Sequence, residues 1–113
     1  MKVLLHNEKK TVVGENIFLA NSFITRFMGL MFKKEIRNYT GYLISPCNSI
    51  HTFFMKFNID VLFITKDKKI IKIIRNLKPW RLTFIYFKSY EVLEMPSGTL
   101  TKEIKVGDEL IYV

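Results

Sequence analysis

The chain has one cysteine and two histidines in 113 residues. A single cysteine excludes an intramolecular disulfide, so nothing in the sequence calls for an oxidising compartment. There is no CxxC and no HxxxH, the spacings by which a zinc site is recognised, and neither a metal nor any other cofactor is expected. No apolar run approaches the 18 residues of a membrane-spanning helix. Ahead of His6 only Val3-Leu4-Leu5 is apolar, too short for a secretory core, and no small-residue cleavage site follows. These features predict a cytoplasmic protein. Proline (3) and glycine (5) are sparse. No linker, repeat or low-complexity tract divides the chain, and a single domain over residues 1–113 is expected.

Acidic residues are also scarce, ten against eighteen basic ones, for a formal net charge of +8. Residues 66–88 concentrate that excess. Lys66, Lys68, Lys69, Lys72, Arg75, Lys78, Arg81 and Lys88 face only Asp67 there, a local net of +7. Such a segment suits either weak, sequence-independent binding of nucleic acid or a plain lysine-rich solvated surface. Lysine supplies 14 of the 18 basic residues, which favours the solvated surface.

Apolar residues make up 49% of the chain and charged residues 25%, the balance of a globular protein. A chain of this length buries roughly two-thirds of its unfolded surface, enough for one core. Short β-branched and aromatic runs alternate with polar punctuation, the pattern of a sandwich or barrel. Val61-Leu62-Phe63-Ile64-Thr65, a Lys66–Lys69 turn and KIIKIIRNL predict a β-hairpin. Further strands are expected at Leu82 to Phe87, Glu91 to Met95 and Glu109 to Val113, the last after a Gly107-Asp108 turn. One helix is predicted near residues 22–31, with Asn21 or Ser22 as N-cap and Phe23, Phe27, Leu30 and Met31 on one face. Gly29 inside that run either ends the helix early or lets it approach another backbone.

The densest chemistry lies in PCNSIHTFFMKFNID, residues 46–60. This stretch holds the only cysteine, one of the two histidines, three phenylalanines, a methionine and an aspartate. Around it, Arg26 is followed by Gly29-Leu30-Met31-Phe32, then Gly41. Beyond it come Pro79-Trp80-Arg81, Val92-Leu93-Glu94-Met95-Pro96-Ser97-Gly98 and Gly107-Asp108. In order and spacing these motifs, over residues 20–110, resemble the domain-of-unknown-function family 192, also called uncharacterised protein family 0127, in its Cys- and His-containing branch. Met95 and Ser97 depart from the usual leucine and alanine, small changes of volume. The resemblance implies a mostly β fold of sandwich or jelly-roll type with one short helix. It implies no activity.

Function must therefore be sought in particular side chains. Cys47 and His51 are the candidate catalytic pair of a hydrolase or transferase, since a histidine can generate the thiolate nucleophile. Four strand residues span about 13 Å, however, so the two meet only if Cys47 lies on a turn. Arg26 presents a fork suited to a carboxylate or phosphate, either Glu94 or Asp60 within the protein or an anionic ligand. Met31, Phe32, Phe53, Phe54, Met55, Phe57, Trp80 and Phe84 form either core or the wall of an apolar groove. Strand alternation places His51, Phe53 and Met55 on one face and Ile50, Thr52 and Phe54 on the other. The leading expectation is a non-enzymatic binding module with a mostly β fold, sandwich, jelly roll or flattened barrel. Its pocket, formed by Arg26, His51, Met55, Asp60, Trp80 and Glu94, would take a small molecule or a peptide.

Overall fold

In a computed structural model describing residues 1–113, eight strands and one helix follow one another along the chain. They are β1 (Val3–Leu5), β2 (Val12–Gly14), β3 (Ile17–Ala20), α1 (Phe23–Met28), β4 (Gly41–Ile44), β5 (Ile59–Ile64), β6 (Ile70–Leu77), β7 (Glu91–Pro96) and β8 (Leu110–Tyr112). The fold is mostly β, with two sheets and one short helix. One sheet has the order β2-β1-β8 and the other β3-β4-β7-β5-β6. All pairings are antiparallel except β3 with β4. A lone bridge between Lys69 and Glu109 links the sheets at one end, and they do not close into a barrel.

Strand β5 is buried along its whole length because both of its faces are covered. Leu62 and Ile64 join Leu93 and Met95 of β7 in the core between the two sheets. Ile59, Val61 and Phe63 join Val92 in a second core on the opposite face. That second core is covered by Leu30, Ile50 and Met55 from the irregular segments rather than by another sheet. The alternation that a strand imposes thus divides one apolar run between two cores. The β5–β6 hairpin forms as the isoleucine-rich sequence predicts, with Lys66, Asp67 and Lys69 exposed at its turn.

Buried charge is held by specific partners. Glu91 accepts from Lys68 Nζ at 2.8 Å and from the Tyr112 hydroxyl at 2.6 Å. Burial first, and then this carboxylate, push the Tyr112 hydroxyl far above its ordinary range. Arg75 donates to the carbonyls of Leu100, Thr101 and Ile104. Two of the basic residues in segment 66–88, half-buried Lys68 and exposed Arg75, are therefore engaged by partners within the protein.

One local expectation is settled and another is corrected. The helix stops at Met28. Ser22 caps it reciprocally with Thr25, and the Gly29 N–H closes it onto the Thr25 carbonyl at 2.9 Å. None of its residues is buried; of the expected apolar face, only Leu30 and Met31, beyond the helix end, reach the core. Residues 82–87 are not a strand. Only Leu82 bridges, to His51, because the Thr83 and Thr52 hydroxyls take over bonds that a ladder would supply.

Candidate functional site

Register places the site. Glu94 of β7 pairs with Val61 of β5, so its side chain shares the face of the second core. Above it the chain turns at Gly29, whose φ of 48° and ψ of −122° suit glycine alone. A Cβ there would stand 3.1 Å from Glu94 Oε1. The glycine thus lets the backbone close over the carboxyl. Both line a cavity of about 110 Å³. Leu30, Met31, Ile44, Ile50 and Met55 form its apolar walls, and Arg26, Cys47, Ser49, His51 and Glu94 supply its polar groups. The lining residues Phe27, Met28 and Phe53 are also exposed and mark its mouth.

Glu94 is 2% exposed and has no hydrogen-bond partner in the protein. Burial alone pushes its pKa up to about 8, so the carboxyl is mostly protonated at neutral pH. Arg26 donates from Nη1 to the Pro46 carbonyl at 3.3 Å, while its Nε is buried without an acceptor. It forms no ion pair with Glu94 or Asp60, so of its two expected partners, a carboxylate of the protein or an anionic ligand, the first is not made and a backbone contact is.

Cys47 and His51 line the same cavity but are not hydrogen-bonded to each other. The Cys47 thiol donates to the Ser49 carbonyl at 3.1 Å. Desolvation pushes its pKa up to about 11, against lowering by the Ser49 bond. His51 Nδ1 accepts from the Phe53 N–H at 3.2 Å, so the neutral ring carries its proton on Nε2. The imidazole stacks on Phe53 with ring centres 5.0 Å apart.

The other expected site residues lie elsewhere. Asp60 points to the opposite face of the sheet. There Oδ1 accepts from the Asn76 N–H, and Oδ2 accepts from the Gly98 and Leu100 N–H groups, holding the loop after β7. Trp80 sits outside the cavity, half exposed, its ring 4.7 Å from Phe54 and 5.8 Å from Phe53 between centres. Met55 and Phe53 line the cavity, but strict alternation fails, since Ile50 lines it too. As site residues the sequence reading missed Phe27, which it placed only on the apolar face of the helix, and Ile44 and Ser49, for which no local pattern gives a signal.

This architecture and these motifs are shared with other proteins. The profile of DUF192, described as "Uncharacterized ACR, COG1430", matches residues 4–112. A UPF0127 protein of Pyrococcus horikoshii is 36% identical over 115 residues, covering 95% of this chain and 96% of its own. One of Pyrococcus furiosus is 31% identical over 113 residues, with 95% of each chain covered. The crystal structure of a protein of unknown function from Novosphingobium aromaticivorans superposes with a TM-score of 0.81 at 21% identity. It covers 99% of this chain and 84% of that one, a likeness of fold. The chain belongs to the DUF192 family, whose curated relatives are the UPF0127 proteins.

Proposed function

We propose that the chain is a non-enzymatic binding module that captures a small polar group, a peptide end or a small molecule, in the cavity under Gly29. One observation carries this reading. A buried arginine Nε without an acceptor and a carboxyl that no group of the protein hydrogen-bonds are in the wall of the same cavity. Buried polar groups are otherwise paired in native proteins, and leaving one unpaired costs about 1–3 kcal/mol. A ligand group with an acceptor for Arg26 removes that cost, and a donor or acceptor on it gives Glu94 a partner. A volume of about 110 Å³ suits a few heavy atoms rather than a drug-sized molecule, whose sites span roughly 300–1,000 Å³.

Nucleophilic catalysis is the weaker reading, because it requires a thiolate and a base in contact with it. Here the thiol is bonded to a carbonyl, and burial favours its protonated form. Nucleic-acid binding through residues 66–88 is weakened by the internal engagement of Lys68 and Arg75.

The test is a titration of ¹⁵N-labelled protein with short peptides, primary amides and small amines. Saturable shifts confined to Gly29, His51 and the Arg26 Nε–H, lost in Glu94→Gln, are expected. Absence of any saturable shift at millimolar ligand, with no mass co-purifying in native mass spectrometry, would reject the reading.

A further inference from the structure

We propose that the face around the mouth of the cavity docks on an anionic lipid bilayer. This inference stands apart from the cavity's ligand and rests on what surrounds it. Phe23, Phe27, Phe53, Trp80, Leu82 and Phe84 are all exposed, Leu82, Phe23 and Phe84 by 72%, 76% and 82%. Ring contacts, register and helical spacing join Phe23, Phe27, Phe53, Trp80 and Leu82 into one ridge, and Phe84 follows two residues after Leu82. The Phe27 ring lies 6.2 Å from His51, His51 stacks on Phe53, and Phe53 lies beside Trp80. Leu82 is bridged directly opposite His51, and opposed residues of an antiparallel pair project from the same face. Phe23 lies one helical turn before Phe27 on the same side of α1. An apolar ridge of this extent is uncommon on a protein that meets only water.

Charge selects the occupant. Lys56, Lys78, Arg81 and Lys88 are exposed in the segments that carry the ridge. No acidic residue occurs between Glu15 and Glu35, between Glu35 and Asp60, or between Asp67 and Glu91. Asp60, Glu91 and Glu94 are buried. The segments that carry the ridge are therefore aromatic and basic, the composition that seats at the boundary between anionic headgroups and acyl chains. A second copy would bring the same positive charge against it. A peptide would need a groove, whereas these side chains project outward around a cavity of only about 110 Å³. Docking of this kind needs no spanning segment, and no helix here is long and apolar enough to cross a membrane.

Trp80 is the only tryptophan and reports the event directly. Vesicles of phosphatidylcholine, alone or with about 30% phosphatidylserine, are titrated into the protein at low and physiological salt. The expected result is a saturable blue shift with the anionic vesicles alone, weakened by salt. Leu82→Ser with Phe84→Ser should weaken binding at least about tenfold, since each side chain loses burial in the acyl boundary. Lys78→Gln and Lys88→Gln should each weaken it about fivefold. Val106→Ser removes an exposed apolar residue beside Ile70, at the other end of β6, and should leave binding unchanged. Absence of a shift, an equal shift with neutral vesicles, or full affinity in the Leu82/Phe84 variant would overturn the proposal. So would a lipid-free dimer, seen by sedimentation, that the same variant dissociates. Tight capture of an acidic peptide without vesicle binding would assign the face to a protein instead.

Discussion

Glu94 stands opposite Val61, one step along from the pairing of Asp60 with Met95, and that step sends the two buried carboxyls to opposite faces of one sheet. Asp60 meets three backbone N–H donors, whereas Glu94 meets none. Two acids adjacent in the sheet thus have separate duties, one as a staple and one in the wall of a cavity.

The Glu94 side gives a pH dependence of definite sign. The carboxyl titrates near 4.5 in the unfolded chain and at about 8 in the folded protein. Between those values the unfolded chain has released its proton and the folded protein still holds it. Stability therefore falls as pH rises from about 4.5 to 8 and levels off above. The loss is on the order of several kcal/mol at most. Urea unfolding of the wild type at pH 5 and pH 8.5 should show it, and Glu94→Gln should be nearly flat over the same range.

Asp60→Asn tests the staple. The amide keeps one acceptor oxygen for donors that now share two, and it loses the charge. Destabilisation of about 2–3 kcal/mol is expected. Hydrogen exchange should rise at Gly98 and Leu100, with shifts around Gly29 and His51 unchanged.

Cys47 should be a poor nucleophile. A thiol titrating near 11 is ionised to less than about 0.1% at pH 7.5, against roughly a tenth for a free cysteine. Iodoacetamide labelling should be about 100-fold slower than that of a free thiol and should rise tenfold per pH unit towards pH 10. Labelling at the rate of a free thiol, abolished in His51→Ala, would restore the enzyme reading to first place.

Gly29→Ala should cost about 1–3 kcal/mol, since its backbone conformation is closed to other residues and its Cβ would crowd the Glu94 carboxyl. Thermal unfolding measures the loss. Ala at Val106, exposed and outside the cavity, serves as the reference substitution.

Much of the fold was legible because strands β5, β6 and β7 are written in local composition, and the Ser22 cap and Gly29 stop are local too. The site was less so. Arg26, His51, Met55 and Glu94 were read as one cluster and do line one cavity, but Asp60 was grouped with them because register cannot be seen in a single strand. Phe23 and Phe27 have the spacing of a core face, and periodicity does not distinguish a buried face from an exposed one. The path of residues 78–84 depends on Thr52, whose hydroxyl donates to the Lys78 carbonyl and accepts from the Arg81 N–H, partners 26 and 29 positions away.

The second core has a regular sheet beneath it and only loops above. Its roof is held by a few anchor points, the Thr52 hydroxyl, the Phe32 N–H on the Phe54 carbonyl and the Gly29 turn, rather than by a continuous ladder. Such a roof can lift piecewise. Amides of β5 and β7 should exchange only with global unfolding, whereas those of Gly29, Phe32 and Trp80 should exchange through smaller openings. Access to Glu94 would then be governed by local breathing, and the strength of those anchors would set how fast anything enters or leaves.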